Sequence, residues 1–177
     1  MKCNAITIAN ELIDLSGGPS AGALTQLMLM KLVYLSYGYG LALLGDEYPM
    51  FDDDVDSVEA WKYGPVIPSV QSVFCSFRAN PITRYGTICI GAGDRDEDFV
   101  EPHLSPEDDK IKKVIRFVWN NYGKVDVWQL VEWLHAPGSP WSLTYRYGQK
   151  KVIPKALILR YFSLLVQKLR NVSKSKQ

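Results

Sequence analysis

Any chemistry this chain performs has to come from a small set of residues. Aspartates stand at alternate positions twice, as Asp52, Asp54 and Asp56 and again as Asp94, Asp96 and Asp98, which is how a calcium loop opens. Such a loop requires glycine at its sixth position and a bidentate glutamate at its twelfth. The chain has Ser57 and Tyr63 in the first case, and Phe99 and Ser105 in the second. Both runs therefore read as solvated acidic loops. There are two histidines, His103 behind Pro102 and His135 at the end of a short helical segment, and a histidine-based metal site would need both. His135 could act as a base toward Cys75 or a serine brought near by the fold. No GxSxG-type nucleophile motif is present, so a capping or core-edge role suits it better. Gly38-Tyr39-Gly40 lacks the third glycine of a dinucleotide fingerprint and lies inside a helical pattern. The expectation is a non-enzyme with no catalytic residues, no metal and no cofactor.

The run Glu59-Ala60-Trp61-Lys62-Tyr63-Gly64-Pro65-Val66-Ile67-Pro68 differs in kind. Trp61 and Tyr63 supply large rigid contact area with polar tips, and a Gly-Pro turn fixes where they point. Lys62 between them can stack on a ring or pair with an acid. Two readings stay open, a partner-binding surface and a strand that supplies core aromatics before a turn. A looser basic cluster, Arg146, Lys150, Lys151 and Lys155, would suit nucleic acid or an acidic protein partner. Lys112, Lys113 and Arg116 lie opposite an apolar helical stripe, as on any solvated face.

The elements that must hold these residues are mostly helical. Residues 5–15 carry apolar side chains at helical spacing, with Asn4 as a cap and Gly17-Gly18 as a stop. Residues 24–44 are apolar nearly all round, as in a central helix, and Gly38 and Gly40 let a neighbour approach closely. A strand is expected over 55–62, broken by Gly64-Pro65. Pro68 then starts a helix that Asn80-Pro81 closes. A second strand is expected over 85–90, followed by an acidic loop over 94–101. The segment 105–122 reads as a helix with Ser105 as N-cap and Pro106 at its first position, answered by Asp108. Helices follow over 126–136 and 154–170, the last burying Leu157, Ile158, Tyr161, Phe162, Leu165, Val166 and Leu169. The fold class is α+β and predominantly α: a compact single domain, residues 1–172, of about five to six helices with a small antiparallel β-hairpin. Residues 173–177 form a polar tail.

Composition agrees with a globular chain: 47% hydrophobic and 22% charged residues over 177 positions. The net charge of +1 conceals a division, because residues 1–109 hold 17 acidic and 6 basic side chains while residues 110–177 hold 2 and 14. That pattern argues against a uniformly basic nucleic-acid binder. Residues 21–45 contain Lys31 as their one charge, with Thr25 and Gln26 nearby. A membrane span would place those groups deep in hydrocarbon, so a buried helix is expected. Three cysteines without a CxxC pair, and no apolar leader, point to reduced thiols and a cytoplasmic protein.

Lys31-Leu32-Val33-Tyr34, then Gly38, Leu41-Ala42 and Phe51, then the 59–68 run, resemble the signature of the Panacea domain, the family of SocA-like antitoxins and phage-associated GepA-type proteins. His135 ahead of Pro140-Trp141, and the final helix from Ile153-Pro154 to Tyr161-Phe162, resemble its later part, although Ala136-Pro137-Gly138 departs from the usual spacing. The resemblance implies a toxin-neutralising domain whose partner is a cognate toxin. In some relatives it implies delivery of that toxin to a ClpXP-type protease. It carries no catalytic residues. Lys31, Tyr34, Glu59, Trp61, Lys62, Tyr63 and Pro65 are the candidate partner-binding or structural signature residues. The alternative is a nucleic-acid-binding or regulatory protein of a mobile element, working through Arg146, Lys150, Lys151 and Lys155.

Overall fold

The computed structural model describes residues 3–51, 55–93 and 95–174. Its centre is helix α2, Gln26–Leu44, capped by Thr25, whose hydroxyl accepts from Met28 N. A helix that is apolar on every side has to be enclosed on every side. Around it lie α1 (Ala5–Leu15), α3 (Pro68–Phe74), α4 (Asp109–Tyr122), α5 (Val127–His135) and α7 (Lys155–Lys174), and one continuous core runs from Cys3 to Val166. By length and composition α2 could cross a membrane, but 78% of its apolar window is buried inside the protein, as expected of a core helix. Gly38 and Gly40 admit neighbours as anticipated: Phe162 lies against the first and Met50 against the second.

Against this helical body sits a three-stranded antiparallel sheet in the order β2-β1-β5, formed by Glu59–Trp61 (β1), Gly64–Val66 (β2) and Lys151–Val152 (β5). Glu59 pairs with Val66 and Trp61 with Gly64, leaving Lys62-Tyr63 as the tip of the hairpin. Two expectations change here. The strand over 55–62 shortens to three residues, and Gly64-Pro65 does not break the chain but forms the second strand. Proline is tolerated because β2 is an edge, where a missing N–H costs no ladder bond. The strand over 85–90 shortens to Ile88–Cys89 (β3), and its partner is Phe99–Val100 (β4), within the stretch expected to be loop.

Other departures have equally local causes. Ser105 and Asp108 do bond each other, through Ser105 N at 2.8 Å and Oγ at 3.0 Å, but they close a turn, and α4 starts at Asp109. A short helix, α6 (Pro140–Thr144), was not expected; Ser139 caps it and donates to Leu134 O at 2.8 Å. Leu169 is 46% exposed and not part of the core. Asp56 and Asp98 are not solvated. Asp56 accepts from Ala5 N at the start of α1 and from Ser69 Oγ, and Asp98 accepts from Gly93 N and Arg95 N. Asp52, Asp54 and Asp94 of the two acidic runs lie outside the described residues, as do residues 175–177 of the tail.

The tight α2–α7 contact gives a direct test. A Cβ on Gly38 would stand 2.2 Å from Phe162 Cε2, so the ring or the helix must move. Gly38→Ala is expected to cost about 3 kcal/mol and to lower the Tm by roughly 6–12 °C. Phe162→Leu in the same chain should restore part of the loss, with both read by thermal denaturation.

Candidate functional site

The signature residues converge on the sheet. Lys31 projects from α2, fully buried, and donates from Nζ to Pro65 O at 3.0 Å. Burial pushes its ammonium down from 10.5 to about 7, with no ion-pair partner among the described residues to oppose the shift. One turn on, Tyr34 is buried edge-to-face against Phe162, and burial pushes its phenol far up. Gly64, at φ +103, faces this lysine: a Cβ there would lie 3.0 Å from Lys31 Nζ and 3.4 Å from His135 Nε2. His135 is thus brought from the end of α5 to the same point. Its Nε2 is buried without a hydrogen-bond partner, and burial first, then the charge of Lys31, pushes its pKa down.

Trp61 ties the hairpin to the later chain. Its Nε1 donates to Glu59 Oε2 at 2.7 Å, its carbonyl accepts from Trp141 Nε1 at 2.7 Å, and Lys150 Nζ lies 3.9 Å from its ring centre. Trp141 in turn stacks on His135 at 3.6 Å and on Tyr145 at 4.6 Å. This aromatic stack buttresses the base of the hairpin and leaves its tip in solvent. Lys62 is exposed with Nζ 5.1 Å from the Tyr63 ring centre, and Tyr63 is half exposed and edge-on to Trp128 of α5 at 6.1 Å.

The candidate set therefore divides. Lys31, Tyr34 and Pro65 are buried and hold the fold. Glu59 and Trp61 are half-buried, and Lys62 and Tyr63 face solvent. Of the basic cluster, Lys150 is drawn onto Trp61, Lys151 is in β5, Lys155 opens α7 and Arg146 donates to the Tyr145 carbonyl at 2.7 Å. Two further surface residues lie beside the hairpin, Trp128 and Arg78. An aromatic on the polar face of α5, opposite Leu130, Val131 and Leu134, was the available signal for the first. His103 does not join His135; it meets Asp14 at 3.3 Å, beside Glu11, and these groups are engaged with Tyr85 and Leu104 N.

With this geometry in place, comparison with known families matches residues 29–142 to the model described as antitoxin SocA-like, Panacea domain. The match takes in Lys31, the hairpin, His135 and Trp141, and ends ahead of β5 and α7. No curated protein and no solved structure matches.

The Lys31 environment predicts a pH signature. The unfolded chain holds the lysine proton up to about 10.5 and the folded chain releases it near 7. Between those values the unfolded state binds more protons, so stability rises with pH. Relative to Lys31→Met, the unfolding free energy of the native chain should climb across pH 7.5–9.5 by up to about 1.4 kcal/mol per pH unit. Urea denaturation at several pH values measures this; a constant difference would show that Lys31 stays protonated in the fold.

Proposed function

The chain belongs to the antitoxin SocA-like Panacea family, and from that premise we propose that it neutralises a cognate toxin by direct protein–protein contact, without catalysis. The observation that supports the reading is the hairpin itself. Buried partners hold its base, Lys31 beneath and Trp141 beside, while Lys62, Tyr63 and the neighbouring Trp128 present an aromatic and basic surface to solvent. A rigid aromatic tip binds with little loss of side-chain entropy, and Trp and Tyr are enriched where binding energy concentrates.

Charge supports the same reading. Among the described residues, the ion pairs of Arg95 with Glu97 and Asp98, of His103 with Asp14 and of Lys113 with Asp109 are all made within the acidic part of the chain or at its border. Exposed cations of the later elements such as Lys151 can steer an acidic partner. Handing the toxin to a ClpXP-type protease in the cytoplasm is a further step the same surface could serve.

One observation favours a nucleic-acid role as second reading. Beside Lys150, Trp61 and Tyr145 stands Tyr147, 90% exposed, which interleaves an aromatic with Arg146, Lys150 and Lys151. A salt titration of DNA binding decides it, since phosphate contacts weaken steeply with salt.

The primary reading is tested by co-expression with the toxic product of the neighbouring open reading frame. The native chain should rescue growth. The double variant Lys62→Ala, Tyr63→Ala should lose rescue with its Tm unchanged, because both side chains face solvent. Rescue that survives this change would remove the hairpin tip from the contact. If toxin half-life shortens only when the protease is present, the adaptor step is supported; an unchanged half-life with rescue intact leaves simple sequestration.

A further inference from the structure

Between the hairpin, the start of α2 and the start of α5 lies a cleft of about 680 Å³. That is the size of a small-molecule site, and such sites combine apolar walls with a few placed polar groups. Trp61, Tyr63 and Trp128 form aromatic walls, and Lys62 and Arg78 supply cations. No carboxylate lines it among the described residues.

The cations are not consumed elsewhere. Neither Lys62 nor Arg78 has an ion pair among the described residues, and Lys62 rests only on the Tyr63 ring. Thr25 and Gln26, the positive end of the 19-residue α2, also line the cleft.

Arg78 adds an independent mark. Its backbone sits at φ +53, ψ −114, a region that suits glycine, and it is the one non-glycine residue with positive φ among those described. Strain of this kind is retained where a side chain has work to do. Here the strained residue lines a cleft that already holds Lys62 and aromatic faces.

We infer that this cleft binds a small anion carrying a flat ring, the chemistry of a nucleoside phosphate. The ring stacks among Trp128, Tyr63 and Trp61, and the phosphates meet Lys62, Arg78 and the start of α2. The inference does not depend on the toxin-binding reading, because it concerns the chain alone.

Isothermal titration calorimetry of the full chain with ADP, adenosine and inorganic pyrophosphate at low salt tests it. ADP should bind one to one and quench tryptophan fluorescence, while adenosine and pyrophosphate, each lacking half of the recognised chemistry, should bind at least about tenfold more weakly. Lys62→Gln and Trp128→Ala should each weaken ADP roughly fivefold at unchanged Tm. Arg78→Gly should weaken ADP to the same degree while raising the Tm by roughly 2–8 °C, because glycine relieves the backbone. Absence of ADP binding would overturn the inference. So would equal binding of pyrophosphate and ADP with no effect of Trp128→Ala, which describes a bare cationic patch. An acidic tryptophan-bearing peptide that binds where ADP does not would assign the cleft to a protein partner instead.

Discussion

Lys31 lies on a helix buried along nearly its whole length, and its ammonium finds no ion-pair partner among the described residues. Desolvating such a charge costs several kcal/mol even after relaxation. What the fold supplies is one carbonyl, that of Pro65, at 3.0 Å. From this single contact much else follows. The carbonyl is available because β2 is an edge strand. The backbone can approach because position 64 is glycine, where a Cβ would meet the Lys31 nitrogen at 3.0 Å. The hairpin register that pairs Trp61 with Gly64 then places Lys62-Tyr63 at the tip. A buried lysine thus determines where an exposed tyrosine stands.

The later half of the chain closes the same arrangement from the other side. β5 pairs with β1, and Trp141 donates to the Trp61 carbonyl while stacking on His135. Residues far apart in sequence are thereby held as one rigid edge of the molecule. With its base held in this way, the hairpin has little ordering entropy left to lose on contact.

How much of this was legible varied with the kind of signal. α1, α3, α5 and α7 could be read because their signals are local: Asn4 and Pro68 act within a few residues of the helix they start, and α7 shows in the spacing of its apolar residues. β2 could not, because Gly64-Pro65 has the composition of a breaker and only the pairing with β1 makes it a strand. Asp56 and Asp98 looked solvated because backbone amides are among their partners, and the one that Asp56 accepts from, Ala5 N, is 51 residues away. The 59–68 run stood out through its aromatics, and Lys31 through its isolation in an apolar stretch. The strained backbone of Arg78 leaves no trace in residue types.

His135 sharpens what the buried polar cluster is for. Its Nε2 is buried without a partner, and leaving such an atom unsatisfied costs about 1–3 kcal/mol. Lys31 adds a second cost at the same point. Apolar residues of similar volume would remove both penalties, as they do in other buried polar sites. What they could not provide is discrimination between registers. A hairpin shifted by one residue would turn its side chains to the opposite faces, remove the Pro65 carbonyl from Lys31 and set a Cβ-bearing residue where only glycine fits. Stability given up at the lysine–histidine pair is thus converted into a unique placement of the hairpin and of its exposed tip.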